Sequence, residues 1–153
     1  MGEGIPEGQI FLPMIGSSLY FLDANLIMYS LGGPHPLREP SQKTLDKIKR
    51  GVLPVVTNAE VLQEILYRYF SIRKPALGEL AYHGIIDLCE MVMPITVQDT
   101  DLALKLLKQH HQITSRDALH AATMLNNGLK DILSTDPHFD LIPGIRRIDP
   151  AKS

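Results

Sequence analysis

Short apolar runs alternate with longer amphipathic stretches along most of the chain. The runs LYFL (19–22), LPVVT (53–57), VMPITV (92–97), DILST (131–135) and IRRID (145–149) have the length and the side-chain types of strands. Between them the apolar positions recur with a helical period. Over 58–71 the pattern puts Val61, Leu62, Ile65, Leu66 and Tyr69 on one helical face. The stretches 40–50, 75–91, 99–110 and 115–127 read the same way, and a short helix begins near Ala24. Pro40 opens the first of these with Ser41 close to its cap, and Gly128 stops the last. Strands that alternate with helices at this spacing need crossover connections. The expected fold is therefore α/β, three layers (α/β/α) around a mainly parallel sheet of four to five strands. Residues 1–17 carry Gly and Pro at close intervals without a period and read as an N-terminal extension. The domain is expected over 18–149, with a short tail over 150–153.

Composition narrows the class. With 153 residues, 44% of them hydrophobic and 21% charged, the chain suits one globular domain. No apolar run approaches the ~20 residues that span a bilayer, and MGEGIPEGQI has acids where a signal peptide has bases. A soluble, cytoplasmic protein with no membrane partner is expected. The single cysteine, Cys89, lies in the apolar IIDLCEMVM and excludes a disulfide framework or a multi-cysteine zinc site; it is expected to pack in the core. A net charge of −2 gives no overall basic excess. Basic residues cluster only locally, in KTLDKIKR, in RYFSIRK and at Arg146 with Arg147, and such runs usually face solvent.

In open parallel sheets, ligands sit beyond the carboxyl ends of the strands. Asp23 directly follows the first strand and Asp136 directly follows the fourth. Asp117 starts the helix in TSRDALHAATML, and TNAEVLQEILYRY carries Glu60 and Glu64 one turn apart. Each has an ordinary reading. Asp23 caps a helix, Asp117 forms a capping box with Thr114, Asp136 is a turn aspartate before proline, and Glu60 complements a helix dipole. Gathered at one end of a sheet, however, the acids would repel by about 3 kcal/mol per pair at ~5 Å and an effective dielectric near 20. Hard oxygen donors in that number suit Mg²⁺ or Mn²⁺, and the chemistry that follows is phosphodiester hydrolysis.

FLDANLIMY, EVLQEILYRY, SRDALHAATML and ILSTDPHFD together resemble the PIN-domain family of small metal-dependent ribonucleases, which includes VapC-type toxins. The resemblance covers about residues 18–149, and the pair RDALHAA and STDPHFD is its most specific part. It implies that Asp23, Glu64, Asp117 and Asp136 bind the metal and carry catalysis, with Asn25 and Thr135 as polar support. Glu60 is the alternative to Glu64, and Asp140, which follows the turn, is assigned a structural role. It further implies an RNA substrate, an antitoxin partner and a homodimer. His120 is expected to be a semi-buried packing residue bonded to backbone, His138 to be loop surface, and His35 to rim the pocket from a Gly/Pro loop. Competing readings are a HAD-type phosphatase, a receiver-like domain and a non-catalytic PIN-like binding module. The first wants a second acid where Asn25 stands, the first two want a lysine that is not found, and all four acidic positions argue against the third.

Overall fold

The computed structural model describes residues 19–152; the extension expected over 1–17 lies outside the described residues. Five strands form one parallel sheet: β1 (Tyr20–Leu22), β2 (Val55–Asn58), β3 (Val92–Met93), β4 (Asp131–Leu133) and β5 (Arg146–Ile148), in the order β3-β2-β1-β4-β5. The helices are α1 (Ala24–Leu31), α2 (Arg38–Lys49), α3 (Ala59–Ser71), α4 (Pro75–Leu88), α5 (Val97–Gln109) and α6 (Ser115–Asn126). Each successive pair of helices fills one crossover, and the partners pack on each other. A 3-10 helix at Pro137–Leu141, absent from the sequence reading, joins β4 to β5.

Strand side chains alternate between two cores, which makes the fold three-layered. Phe21 pairs in register with Val56 and Ile132, and all three point into the larger core with Val61, Ile65, Ala118, Ala121 and Phe139. Leu22, Val55 and Leu133 point the other way, onto Leu26 and Ile48. Where α3 meets α4, a Cβ at Gly78 would lie 2.7 Å from Cβ of Tyr69, so glycine sets the approach of these two helices.

Element ends depart from the sequence reading for local reasons. The third strand is two residues, not six, because Pro94 has no N–H for the ladder and Thr96 already caps α5. The helix expected to open at Pro40 starts at Arg38. Pro40 sits in its first turn, where a missing N–H costs nothing, and Ser41 is buried within the helix instead of capping it. The helix expected to reach residue 91 stops at Leu88, since Glu90 donates to the Val55 carbonyl and the Met91 carbonyl accepts from Thr57. On α3, Leu66 is 41% exposed instead of buried with its expected neighbours. Cys89 is partly buried against both cores.

The chain steps from β1 outward through β2 and β3, then returns to place β4 on the other side of β1. The carboxyl ends of β1 and β4 are therefore a switch point, where the following segments diverge and leave a crevice. The Asp23 N–H bonds to the Leu133 carbonyl at 3.1 Å, which ties the two strand ends together there.

Candidate metal centre

Asp23 leaves β1 and caps α1. Its Oδ1 accepts from the Ala24 N–H at 2.8 Å, and its Oδ2 accepts from the Ser134 hydroxyl at 2.6 Å. The side chain is buried. That burial is the main reason its pKa is raised to about 6; the Glu64 carboxylate adds to the rise, while His120, Ser134 and the Ala24 N–H oppose it.

Ser134 is fully buried and organises the strand-end loop. While donating to Asp23, its oxygen accepts from Nδ2 of Asn25 at 3.3 Å and from the Asp136 N–H at 3.0 Å. Asn25 also accepts from the Thr135 N–H at 3.4 Å. Thr135 thus meets Asn25 through its backbone, and the hydroxyl that orients Asp23 belongs to Ser134, one residue earlier. Strand alternation explains the shift: Ser134 continues the inward side of a tightly packed strand end, and Thr135 starts the turn.

Asp117 and Asp136 each use one oxygen as a cap. Oδ2 of Asp117 accepts from Thr114 N–H at 3.0 Å in a complete capping box, and Oδ1 of Asp136 accepts from His138 N–H at 2.9 Å. The capping readings hold for Asp23, Asp117 and Asp136, and they leave Asp117 and Asp136 each with an oxygen to offer. His138 keeps the loop-surface position expected of it, with its side chain 45% exposed, but its Nδ1 turns inward, 3.5 Å from Oδ2 of Asp117 and 3.4 Å from Oδ1 of Asp136, and has no hydrogen-bond partner.

Glu64, on α3, is joined to α6. Its Oε1 lies 2.6 Å from Nε2 of His120, which is buried at 1% exposure between Phe21 and Phe139. The expectation of a semi-buried, backbone-bonded histidine fails, because both ring nitrogens meet side chains. Asn58 caps α3 with its Oδ1 on the Val61 N–H at 3.0 Å. This orients the Asn58 amide so that Nδ2 donates to Nδ1 of His120 at 3.1 Å and to the Thr123 hydroxyl at 3.2 Å. With Nδ1 accepting, Nε2 carries the ring proton and donates it to Glu64. Burial depresses the His120 pKa; the Glu64 bond and the charges of Asp23, Glu64 and Glu60 outweigh that and raise it. The Asn58 donor opposes a second ring proton, so this hydrogen bond and the surrounding carboxylates pull the ring's protonation in opposite directions. Asn58 and His120 were missed in sequence because their meeting is tertiary; the one local signal was a histidine three residues after Asp117.

Glu60 is half-buried one turn before Glu64, and burial, then the Glu64 charge, raise its pKa. Asp140 is held by Arg147 through two hydrogen bonds of 3.0 and 3.1 Å, and the same guanidinium donates to the Ser134 carbonyl at 3.3 Å. Arg146 is likewise paired, with Asp131, and Lys43 and Arg50 pair along α2 with Glu39 and Asp46. These four cations are therefore paired.

Donor atoms gather in two groups, Asp23 with Glu64 and His120, and Asp117 with Asp136 and His138, the atoms within each group lying no more than 4.8 Å apart. Ser134 links them through Asp23 and Asp136, and α6 links them through Asp117 and His120. Since His120 presents a proton, the first group offers carboxylate oxygen only. Hard oxygens and the unpartnered Nδ1 of His138 fit a divalent cation.

An acid-lined crevice at the switch point of a parallel sheet defines a metal-dependent α/β hydrolase class. The chain belongs to the PIN domain family, whose profile matches residues 20–145. It is 35% identical over 130 residues to Ribonuclease VapC13 of Mycobacterium tuberculosis, covering 85% of this chain and 99% of that protein. Its fold matches the crystal structure of M. tuberculosis VapC20, a sarcin-ricin loop cleaving toxin, with TM-score 0.66, 17% identity and coverage of 81% and 94%. A toxin-antitoxin complex from Klebsiella pneumoniae matches with TM-score 0.61, 14% identity and coverage of 86% and 97%. PIN nucleases use divalent metals, and the phosphatase and receiver readings fall with the family assignment.

Proposed function

We propose that this chain is a divalent-metal-dependent endoribonuclease and the toxin of a toxin-antitoxin pair. The observation that carries the reading is the meeting of Asp23 and Asp136 across one serine at the carboxyl ends of β1 and β4, with Glu64 and Asp117 beside them. Mg²⁺ or Mn²⁺, held by Asp23, Glu64, Asp117 and Asp136, supplies a Lewis acid at the scissile phosphate and an activated water.

The chain's own residues then have distinct tasks. Ser134 and the Ala24 N–H fix Asp23; Asn58 and His120 fix Glu64; the Thr114 and His138 N–H groups fix Asp117 and Asp136. Every acid is thus aimed before substrate arrives, which is what electrostatic catalysis requires. Asn25 holds the strand-end loop through Ser134 and the Thr135 N–H.

Single-stranded RNA in the cytoplasm is the substrate we assign. The similarity to named VapC ribonucleases over nearly their whole length supports it. The likeness of the fold to toxin-antitoxin complexes supports an antitoxin partner. A homodimer is supported by Leu66, Tyr67, Phe70, Leu80 and Ile86, which expose apolar surface on α3 and α4. Residues 18–149 form the nuclease unit in this reading, and no helix among the described residues is long and apolar enough to cross a membrane. Cleavage of single-stranded RNA that needs Mn²⁺ and stops in EDTA tests the proposal; no cleavage of several unrelated RNAs overturns it.

A further inference from the structure

Next to the acids is a cavity of about 400 Å³, within the ~300–1,000 Å³ range of small-ligand sites. Asn25, Tyr29, Gly33, His35 and Arg68 border it. Two of these follow directly from candidate ligands. Asn25 is two residues after Asp23, and Arg68 is one turn beyond Glu64 on the same face of α3. Asn25, which donates to the Ser134 hydroxyl that holds Asp23, ties the cavity to the acids.

Its walls present two kinds of chemistry. The Tyr29 and His35 rings pack against each other with centroids 4.6 Å apart and planes tilted by 31°, and the Leu37 N–H, donating to Nδ1 of His35 at 3.0 Å, fixes the imidazole. Arg68, exposed on α3, is in no ion pair among the described residues, unlike Arg50, Arg146 and Arg147. A planar aromatic pair beside an unneutralised guanidinium matches a nucleotide, whose base stacks and whose phosphate takes the charge. A Cβ at Gly33 would meet nothing within 4 Å, so this border position has room for a larger side chain.

We propose that this cavity is a nucleotide subsite: it takes the ribonucleotide flanking the scissile phosphate of single-stranded RNA, with the base against Tyr29 and His35 and a phosphate on Arg68. The proposal rests on the ribonuclease reading and adds to it where substrate is recognised. Base stacking of this kind tolerates any base, so the subsite positions the strand more than it selects sequence.

The test is fluorescence anisotropy with a fluorescein-labelled, randomised single-stranded RNA of about twelve nucleotides in EDTA, which separates binding from cleavage. Gly33→Leu adds bulk at the cavity's border, where a Cβ has room, and is expected to raise Kd about tenfold. Arg68→Gln is expected to lower the slope of log K against log salt by about 0.7, the loss of one phosphate contact. Arg68→Gln changes an exposed helical position, so it reports even where Gly33→Leu perturbs folding. Wild-type protein that binds and cleaves RNA, with both variants unchanged in Kd and slope, overturns the subsite and leaves the ribonuclease reading intact. Wild-type protein that neither binds nor cleaves RNA overturns both.

Discussion

Nε2 of His120 lies 2.6 Å from Oε1 of Glu64, while Nδ1 of the same ring is met by Nδ2 of Asn58 at 3.1 Å. One imidazole thus joins the cap of α3 to an acid two turns further on. The Asn58 cap fixes the amide, the amide fixes the tautomer, and the tautomer points a proton at the carboxylate.

His120→Ala removes that donor. Loss of a group that orients a ligating carboxylate typically costs ten- to a hundredfold in metal affinity, and about that loss is expected for Mn²⁺ by isothermal titration calorimetry. The variant also removes one hydrogen bond of the buried Asn58 amide and empties the space the ring fills, at a cost of about 1–3 kcal/mol in a urea melt. Unchanged Mn²⁺ affinity would show that Glu64 is positioned without His120.

Ser134→Ala is expected to cost more than Thr135→Val. The first leaves Oδ2 of Asp23 buried without its donor and releases both Asn25 and the Asp136 N–H, a loss of about 1–3 kcal/mol in stability. The second keeps the backbone contact to Asn25 and should stay within about 0.5 kcal/mol. Equal melting temperatures for the two variants would contradict the assignment.

These two residues show how far the sequence reached. The alternation of strands and helices, the position of Asp23 after β1, and the box of Thr114 with Asp117 follow from local periodicity and capping rules, and they are legible in one chain. The choice between Ser134 and Thr135 depends on where β4 stops pointing inward, a boundary that strand patterns locate only to within a residue or two. His120 and Asn58 lie 62 positions apart, and only the packing of α3 on α6 brings them together. The approach of the half-exposed His138 to Asp117 is hidden for a related reason: the 3-10 turn that folds it back comes from the Asp136 cap and Pro137, not from an apolar period.

Asp23 should give metal-free stability a pH signature. Its folded pKa of about 6 exceeds the ordinary 3.8, so the native state binds the extra proton. The stability from this group is full below about pH 4 and is lost as pH rises through 6, by up to about 3 kcal/mol. Asp23→Asn removes the dependence, although its amide faces a Ser134 oxygen already accepting two hydrogen bonds. Thermal melts in EDTA should show the wild type declining relative to Asp23→Asn between pH 4 and 6, where His120 and Glu64 are the other ionisable groups facing Asp23. Parallel curves would contradict the burial account.

Cys89 should be chemically silent in the folded protein. Burial pushes its thiol up to about 12, so almost no thiolate forms near pH 8. Ellman's reagent is expected to react only after unfolding in guanidinium. Rapid reaction of the native protein would mean that the end of α4 opens.

The central claim is that these acids form one metal-dependent site for cutting RNA. The most direct measurement is cleavage of single-stranded RNA by purified protein with Mn²⁺, compared with EDTA, Asp23→Asn and Asp117→Asn. The account predicts endonucleolytic products with wild type and Mn²⁺, and none in EDTA or with either variant, all three proteins remaining folded by circular dichroism. Cleavage that persists in EDTA, or in a folded variant at the wild-type rate, would contradict it.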